Sequence, residues 1–453
     1  MKLNILVVYW HAAPTLRTTT EDHLLCFERH LAHNTYYVNL ADGQIPGWAR
    51  ETPFDIVVFH DLFFCGRWGG RQLFEQLCAN VDFLRASPAV KIAVPQDEFM
   101  CADLLCEFIN AFDVRAVFSV APESEWPKIY RDVDRSRVRF HCVLTGYLEQ
   151  ATQDRIERIV GAGAPRTADI GYRAGGRSWR QAAWLGRHGV LKIRIAEEFA
   201  QRAAAHGLAA DISTRSEDTF MGDAWYEFLA RCKYQIGLEG GASVLDWDGS
   251  RRIATLDYAE KHPDSTFEDI EAACFPGLDG QFALFALSPR HLEACATRTC
   301  QILLEGDYNG VLQPWKHYLP VRKDFSDIDD VLEIVRRDDR RQDIVEAAYR
   351  DIVASGRYTY QAFAEFVVGE TIRLGGLAAR PRHGEAVDAG SRHEHYRTWK
   401  ARPMVHDQPV VATAGVADSA PGAPLSARVR QQLGRVPGLR KAVRGIRSMM
   451  GRR

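Results

Sequence analysis

The first 150 residues alternate between short apolar runs and amphipathic stretches. The apolar runs are continuous instead of alternating in polarity, which is typical of parallel strands covered on both faces. Helices are predicted near 21–33, 69–86, 100–111 and 122–132. The predicted strands are Leu3–Tyr9, Thr35–Leu40, Asp55–His60, Val90–Val94, Val114–Val120 and Val138–Val143. This order predicts a doubly wound α/β domain over residues 1–150.

A second strand–helix series begins near residue 165, after a stretch from Glu149 to Thr167 that we expect to connect two domains. Its predicted strands are Ala168–Tyr172, Leu208–Ser213, Tyr234–Leu238, Thr299–Glu305 and His317–Pro320. Its predicted helices fall near 190–205, 222–232, 289–297, 326–338, 340–355 and 358–373. We therefore expect a second Rossmann-like domain over 165–356, with an insertion at 244–288 and a C-terminal helix at 357–375.

The end of the chain differs in composition from the rest. Residues 376–425 are rich in Gly, Ala and Pro without periodicity, which predicts a flexible linker. The tail over 426–453 contains nine basic residues and no acidic one. The formal charge of −2 therefore divides into +9 in the tail and −11 over the first 425 residues. Taken at face value, the near-neutral total argues against a nucleic-acid partner, and none is expected, but that total hides the basic tail.

The basic tail has the pattern of an amphipathic helix. Val436, Leu439, Val443, Ile446 and Met450 recur at spacings of three or four, with basic residues beside and opposite them. An apolar face flanked by cations predicts a helix lying on anionic lipid. A solvated disordered tail and a partner-binding helix are the alternatives.

The cysteines and apolar segments favour a cytoplasmic protein, which the tail would place at the inner face of the membrane. None of the ten cysteines forms a C-x-x-C pair, so we expect reduced thiols and neither a disulfide framework nor a zinc site. No apolar run reaches the roughly 18 residues that a membrane span needs. The apolar start of the chain is predicted to be a strand and not a signal peptide.

Three segments of the second half carry candidate binding residues. In the first, a strand ends at Arg173, a glycine-rich loop follows, and Lys192 lies near the next helix. A strand, a glycine loop and cations at the carboxyl end of a parallel sheet can hold a diphosphate. A mobile surface loop with solvated arginines is the alternative.

The second segment, LEACATRTCQILLEGDYNGVL, contains Glu293, Glu305, Asn309 and Gly310. The Asn-Gly turn tolerates positive φ and could direct N–H groups at a phosphate or sugar, and Glu293 could accept both hydroxyls of a ribose. The third segment, LEGGAS, places Glu239 at a strand end beside two glycines, where it could accept sugar hydroxyls. The alternatives are a turn with a capping Asn and a charged strand end beside a tight turn.

Together these segments resemble the GT-B glycosyltransferases of the retaining group-1 type over roughly residues 1–375, and also their spore-coat glycosyltransferase-like branch. The resemblance implies that the second domain binds a nucleotide sugar. Arg173 and Lys192 would contact the diphosphate, Glu239 the sugar and Glu293 the ribose. Fifty-three residues separate the two glutamates where the family has seven. We expect the insertion at 244–288 to leave both glutamates at the same edge of the sheet.

The first domain would then hold the acceptor. His60 and Asp61 end a predicted strand, and His11 and Arg17 lie in the loop after the first strand. A histidine there could orient or deprotonate an acceptor hydroxyl, although a lone histidine at a strand end is more often structural. Gln96, Asp97 and Glu98 follow another strand and are weaker candidates.

One motif resembles a metal site of the other large glycosyltransferase fold. It is the Asp-x-Asp formed by Asp246, Trp247 and Asp248. We expect a turn with side-chain hydrogen bonds there instead of a metal site. No metal and no cofactor other than the nucleotide diphosphate sugar are expected.

These expectations combine into a glycosyltransferase that transfers a sugar from a nucleotide diphosphate sugar to a glycan or lipid-linked acceptor, in cell-surface polysaccharide or glycoconjugate synthesis. Retention of configuration is implied by the resemblance. The alternatives are a GT-B-fold nucleotide-sugar epimerase and a degenerate GT-B module that only binds.

Overall fold

The computed structural model describes residues 2–13, 16–43, 45–176 and 178–377. The predicted tail over 426–453 lies outside these residues, as does the predicted linker beyond residue 377.

The N-terminal domain is built on a six-stranded parallel sheet with strand order β2-β1-β3-β4-β5-β6. Its central strands are fully buried, as the apolar runs predict, so helices must cover both faces. Its elements are β1 (Asn4–Tyr9), α1 (Thr18–His30), β2 (Asn34–Asn39), α2 (Gly47–Glu51), β3 (Ile56–Phe59), α3 (Asp61–Phe64), α4 (Arg71–Asn80), β4 (Val90–Ala93), α5 (Ala102–Ala111), β5 (Ala116–Ser119), α6 (Trp126–Ile129) and β6 (Arg139–Cys142).

The C-terminal domain is built on a five-stranded parallel sheet. The chain first forms α7 (Gln150–Gly161) and then β7 (Ala168–Arg173), α8 (Trp179–Ala182), α9 (Arg187–Ala203), β8 (Ala210–Ser213), α10 (Asp223–Arg231), β9 (Cys232–Gly237), β10 (Gly240–Ala242), α11 (Ser250–Lys261), α12 (Phe267–Cys274), β11 (Leu284–Ala286), α13 (Pro289–Ala296), β12 (Cys300–Leu304), β13 (Leu319–Val321), α14 (Ile328–Arg337), α15 (Arg341–Ala348) and α16 (Tyr360–Gly375). The sheet order is β13-β12-β9-β7-β8.

Helix α14 confirms the helix predicted near 326–338. Its buried residues Ile328, Val331, Leu332 and Val335 recur at helical spacing and pack on the C-terminal core. Two predicted helices are shorter than expected. The stretch 69–86 forms α4, which begins after Gly70 at φ 89°, and a 3-10 turn at Asp82–Leu84. The stretch 122–132 forms a 3-10 turn at Glu123–Glu125 and the single turn α6.

The stretch from Glu149 to Thr167 between the two domains is mostly helical. The Glu149 side chain accepts a hydrogen bond from Gln150 N at the start of α7, and α7 packs against α10 and α13 of the C-terminal domain.

The inserted segment forms its own small unit. Strands β10 and β11 pair antiparallel, with Gly241 opposite Phe285, and α11 and α12 lie between them in the chain. Strand β10 follows β9 directly at the carboxyl edge of the C-terminal sheet, and β11 leads into α13.

The last helix returns to the N-terminal domain. Tyr360, Phe363, Val367 and Leu377 belong to the N-terminal core, and the Tyr360 hydroxyl donates to the Thr19 carbonyl over 2.8 Å. Two doubly wound domains, with a final helix that crosses back to the first, make this a GT-B fold. The predicted fold class is confirmed for the described residues.

Candidate functional site

The N-terminal sheet presents a pair of carboxylates at its carboxyl edge. Asp61 begins α3 directly after β3, and its Oδ1 accepts a hydrogen bond from Gln96 N over 3.1 Å. Burial, and then the negative charge of Asp97, raise the pKa of Asp61 to about 7. A carboxyl group that gains and loses its proton near neutral pH is suited to general-base chemistry.

His60 does not face this edge, which corrects its assignment as an acceptor base. Its side chain is 1% exposed, and its Nδ1 accepts from Leu62 N, capping α3 over 3.1 Å. Its Nε2 lies 2.7 Å from His23 Nδ1. Burial and the neighbouring His23 hold the pKa of His60 well below its usual range. His60 is therefore a neutral structural histidine, and its Nε2–H donates to His23.

The loop after β1 is fixed by its backbone. His11 N donates to Asn39 Oδ1 over 2.9 Å, and Asn39 Nδ2 donates to the His11 carbonyl over 2.8 Å. The imidazole of His11 is buried, so its assignment to the acceptor stays a prediction. Arg17, farther along this loop, interacts electrostatically with Arg290 and Glu293 of the other domain.

Most of the Arg173 guanidinium is engaged within its own domain. Its side chain is 7% exposed, and its guanidinium donates to the carbonyls of Tyr172, Asp211 and Asp218 and to Asp211 Oδ1, the last over 2.6 Å. It also packs against the ring of Phe228 at 4.4 Å. These contacts occupy four of the five guanidinium N–H groups within the domain, which argues against the predicted contact of Arg173 with the diphosphate.

The N-terminus of α9 is likewise occupied. Arg187 N donates to Asp279 Oδ1 over 3.0 Å and His188 N to Ser243 Oγ over 3.3 Å. Both acceptors come from the inserted segment and the strand leading into it. The first two N–H groups of α9 are therefore used within the protein itself.

Glu239 is enclosed by the turn that follows β12. Its side chain is 2% exposed, and its Oε1 accepts from Tyr308 N over 2.7 Å. A Cβ at Gly306 would overlap the Glu239 carboxylate, so a larger residue there would displace that carboxylate. Burial raises the pKa of Glu239. In this structure Glu239 shapes the turn and does not present its carboxylate to a sugar.

The turn brings the other candidates of the second segment together. Glu305 is exposed at the end of β12. Asn309 and Gly310 both have positive φ, 54° and 66°. The Asn309 side chain is used internally, because its Oδ1 accepts from Leu287 N over 2.6 Å.

Glu293 lies on α13 with a cation on the same helix. Its carboxylate is 6% exposed and its Oε2 accepts from the Trp225 indole over 2.7 Å. Burial raises its pKa, whereas the positive charges of Arg290 and Arg17 act in the opposite direction. Arg290 donates to the Arg173 carbonyl over 2.6 Å. Residues from both domains therefore surround Glu293.

A cationic group lies at the carboxyl edge of the C-terminal sheet. The His188 ring stacks on Phe285 at 4.1 Å, and Lys323 Nζ lies 5.3 Å from the same ring. Burial lowers the pKa of His188 to about 3, helped by the charges of Lys192 and Lys323. Lys192 and Lys323 therefore both lie near His188, and the contact of Lys192 with a diphosphate stays a prediction. Sequence reasoning missed Lys323 although it follows a predicted strand end.

A series of hydrogen bonds joins the two sheet edges. Gln96, whose N–H contacts Asp61, donates through Nε2 to the Thr145 carbonyl over 3.0 Å. The Thr145 hydroxyl donates to the Leu287 carbonyl over 2.7 Å, and Leu287 N donates to Asn309. The predicted residues Asp61 and Asn309 are thus linked across the domain interface.

The Asp-x-Asp motif forms turns, as predicted. Asp246 accepts from Arg251 N and Arg252 N at the start of α11, over 3.1 and 2.9 Å. Asp248 accepts from Ser250 N over 3.0 Å. Across the described residues, no group of three or more His, Cys, Asp or Glu side chains is arranged to hold a metal ion.

All ten cysteines lie among the described residues, and each is a free thiol, as predicted. Among these same residues, no helix has the length and apolarity needed to cross a bilayer.

No protein-family model matches the chain, and no curated protein matches its sequence. Several solved structures are similar to most of it. Anabaena Alr3699/HepE in complex with UDP-glucose has 9% identity and a TM-score of 0.44, covering 82% of this chain and 99% of that one. An α-glucosyltransferase (AGT) with UDP-glucose and DNA containing an abasic site has 10% identity and a TM-score of 0.47, covering 82% and 99%. Sucrose-phosphate synthase from Thermosynechococcus elongatus has 11% identity and a TM-score of 0.41, covering 83% and 100%. Identities this low do not transfer a substrate from these proteins to this chain.

Proposed function

We propose that this protein is a glycosyltransferase that moves a sugar from a nucleotide diphosphate sugar to a hydroxyl acceptor. The supporting observation is the division of charge between the two sheet edges. Asp61 and Asp97 lie on the N-terminal side and Lys192 and Lys323 on the C-terminal side. Cations stabilise the charge that develops on a leaving diphosphate, and a carboxylate accepts the proton of an attacking hydroxyl.

The proposed donor site lies in the C-terminal domain. Lys192, Lys323 and Arg290 would contact the diphosphate, and Glu293 would accept hydrogen bonds from the ribose hydroxyls. The glycines of β10, together with Glu305 and Gly310, would line the sugar. Arg173, Glu239 and Asn309 act behind them by holding the strand end and the turn in place. No cofactor besides the donor is proposed.

The proposed acceptor site lies in the N-terminal domain. Asp61, with Asp97 beside it, would orient and deprotonate the acceptor hydroxyl, and His11 would lie in the same wall of the cleft. Retention of configuration is proposed on the resemblance of the sequence to retaining enzymes. The proposed acceptor is a glycan or a lipid-linked sugar in cell-surface polysaccharide or glycoconjugate synthesis.

The proposed place of the transfer reaction is the inner face of an anionic membrane. The nine basic residues over 426–453 support this proposal. Vesicles of phosphatidylcholine with and without phosphatidylglycerol test it by co-sedimentation. The full chain should pellet only with the anionic vesicles, and the chain lacking 426–453 with neither. Equal pelleting of the two forms contradicts the proposal.

A donor panel tests the activity. UDP-, GDP- and CMP-sugars are compared by thermal shift, and the stabilising donor is then followed by calorimetry and by release of its nucleotide. Glu293→Gln and Lys192→Ala should each weaken binding about tenfold or more. Lys261→Ala, an exposed lysine paired with Asp257 on α11, is the control and should bind as the wild type does. Absence of a shift with every donor contradicts the proposal.

A second candidate function, a module that binds without catalysis, is favoured by one observation. Arg173 and Glu239, two of the four residues to which the resemblance assigns a role, are both engaged in internal contacts. A protein of this kind would bind a nucleotide tightly and release no product from any donor. The same panel therefore separates the two functions.

A further inference from the structure

The inserted segment shares its apolar core with the opposite domain. Four apolar side chains of β10, β11 and the residues just before β11 are buried in the N-terminal core. They are Ala242, Phe282, Leu284 and Ala286. Trp184 of the C-terminal domain joins them and packs edge-on against Trp68 at 5.8 Å. On this side the two domains are joined by a buried apolar contact.

Backbone hydrogen bonds reinforce that contact at the loop after β4. Asp246 N donates to the Phe99 carbonyl over 2.7 Å, and Cys101 N donates to the Asp246 carbonyl over 2.8 Å. Asp103 N donates to the Trp247 carbonyl over 3.1 Å. The inserted segment therefore adds a short parallel bridge to a loop of the N-terminal domain.

This loop contains Asp97, the neighbour of Asp61 in the proposed acceptor site. Two of its residues, Asp97 and Cys101, have positive φ of 48° and 47°, a conformation that non-glycine residues adopt only under constraint. Arg67 supplies part of that constraint, because its buried guanidinium donates to the Gln96 and Met100 carbonyls over 3.1 and 2.7 Å. The bridge to Asp246 holds the loop from the other side.

Side chains also fix the inserted segment to the N-terminal domain. The Arg131 guanidinium lies 3.5 Å from the centre of the Trp247 ring. Arg252 donates to the Trp68 carbonyl over 3.2 Å, and Lys128 to the Gln281 carbonyl over 2.8 Å. Trp247 thus contacts the N-terminal domain twice, through its ring with Arg131 and through its carbonyl with Asp103 N.

We propose that the inserted segment positions the acceptor-side carboxylates: through Asp246 and Trp247 it holds the loop of residues 96–101, and so the Asp61–Asp97 pair, in place from the C-terminal domain. This inference rests on the proposed transfer reaction. Asp246 and Trp247 are positioning residues, since their contacts are to the loop and not to a substrate. A displacement of a reacting group by about 1 Å lowers a rate by up to 100-fold, so a loop under constraint needs such support.

Hydrogen exchange tests the positioning without relying on activity. Trp247→Ala in the full chain removes the ring beneath Arg131, and the amides of Cys101 and Asp103 should then exchange at least tenfold faster. Trp247→Phe keeps an aromatic face and should restore most of the protection. Ile253→Ala, at an exposed position on α11, is the control for the insertion. Unchanged exchange at both amides in Trp247→Ala overturns the inference.

Donor hydrolysis tests the consequence, with water as the acceptor. Trp247→Ala should lower kcat about tenfold, with the KM for the donor changed less than twofold and the pH of half-maximal rate shifted. If Trp247→Ala has the kcat and pH profile of the wild type although its Cys101 and Asp103 amides exchange faster, the inference is also overturned. If no donor binds the wild type while the exchange changes as expected, the proposed function fails and the structural role of the bridge stands.

Discussion

The hydroxyl of Thr145 donates to the carbonyl of Leu287 across the domain interface, over 2.7 Å. Each of the two residues has a further partner within its own domain, Gln96 for Thr145 and Asn309 for Leu287. A single side chain thereby couples the edge of one sheet to the turn at the edge of the other.

Replacing this side chain should loosen the interface. Thr145→Val keeps the shape but leaves the Leu287 carbonyl without its donor, so the free energy of unfolding should fall by about 1–2 kcal/mol. Urea denaturation measures the change. Thr219→Val, at an exposed position, is the control. Equal stability of Thr145→Val and the wild type would show that water replaces the hydroxyl without loss.

Asp61 should control the pH dependence of the reaction. Its pKa of about 7 is raised by burial and by Asp97, and a general base acts in its charged form. The rate of nucleotide release should therefore rise as pH increases through about 7. Asp61→Asn should lower the rate by 100-fold or more and remove this rise, whereas Asp264→Asn, exposed on the insertion, should do neither. A pH-independent wild-type rate between 5 and 9 rejects Asp61 as the base.

Arg173 should matter for stability more than for binding. Arg173→Ala leaves the Asp211 carboxylate and three carbonyls without their buried donor. The free energy of unfolding should fall by about 3 kcal/mol. At temperatures where the variant is folded, its nucleotide affinity should change less than about twofold. The neighbouring exposed Arg215→Ala serves as control. A folded Arg173→Ala that binds nucleotide tenfold more weakly would restore its original assignment.

Lys192, in contrast to Arg173, should matter for nucleotide binding more than for stability. Lys192→Ala should change the free energy of unfolding by less than about 0.5 kcal/mol and weaken nucleotide binding about tenfold. Calorimetry at two salt concentrations measures this, because the contribution of a charge contact falls as salt rises. Wild-type affinity in this variant places the diphosphate elsewhere.

The buried histidine pair should make the fold sensitive to acid. Burial lowers the pKa of His23 to about 4, below its usual value of 6.5. A group whose pKa is lowered in the folded state stabilises fully above its unfolded pKa and loses that contribution as pH falls towards its folded pKa. Unfolding free energy should therefore decrease from pH 6.5 to about 4. His23→Gln should flatten this decrease, and the exposed His262→Gln should not. Identical pH curves for the wild type and His23→Gln would refute it.

The strands and most helices could be predicted because their signal is local. The continuous apolar run of β1 and the helical spacing of apolar residues on α14 are patterns of residues that are close together in the chain. The roles of the site residues depend on partners far away in the chain. Arg173 is engaged by Asp211 and Asp218, and α9 is capped by Asp279, more than 90 positions from the start of that helix. The local sequence around Arg173 and α9 does not show that their partners come from distant residues. For that reason the sequence predicts a diphosphate contact for the strand-end arginine and the glycine loop.

The position of α16 has a consequence for how the protein is made. Tyr360, Phe363 and Val367 are buried among strands formed by the first 150 residues. During synthesis the N-terminal sheet emerges from the ribosome first but lacks these side chains until nearly 380 residues have been translated. Domains usually fold as units in the order of their synthesis. Here the first domain to emerge is the last that can be completed, and a nascent chain arrested before Tyr360 would expose an incomplete apolar surface to chaperones.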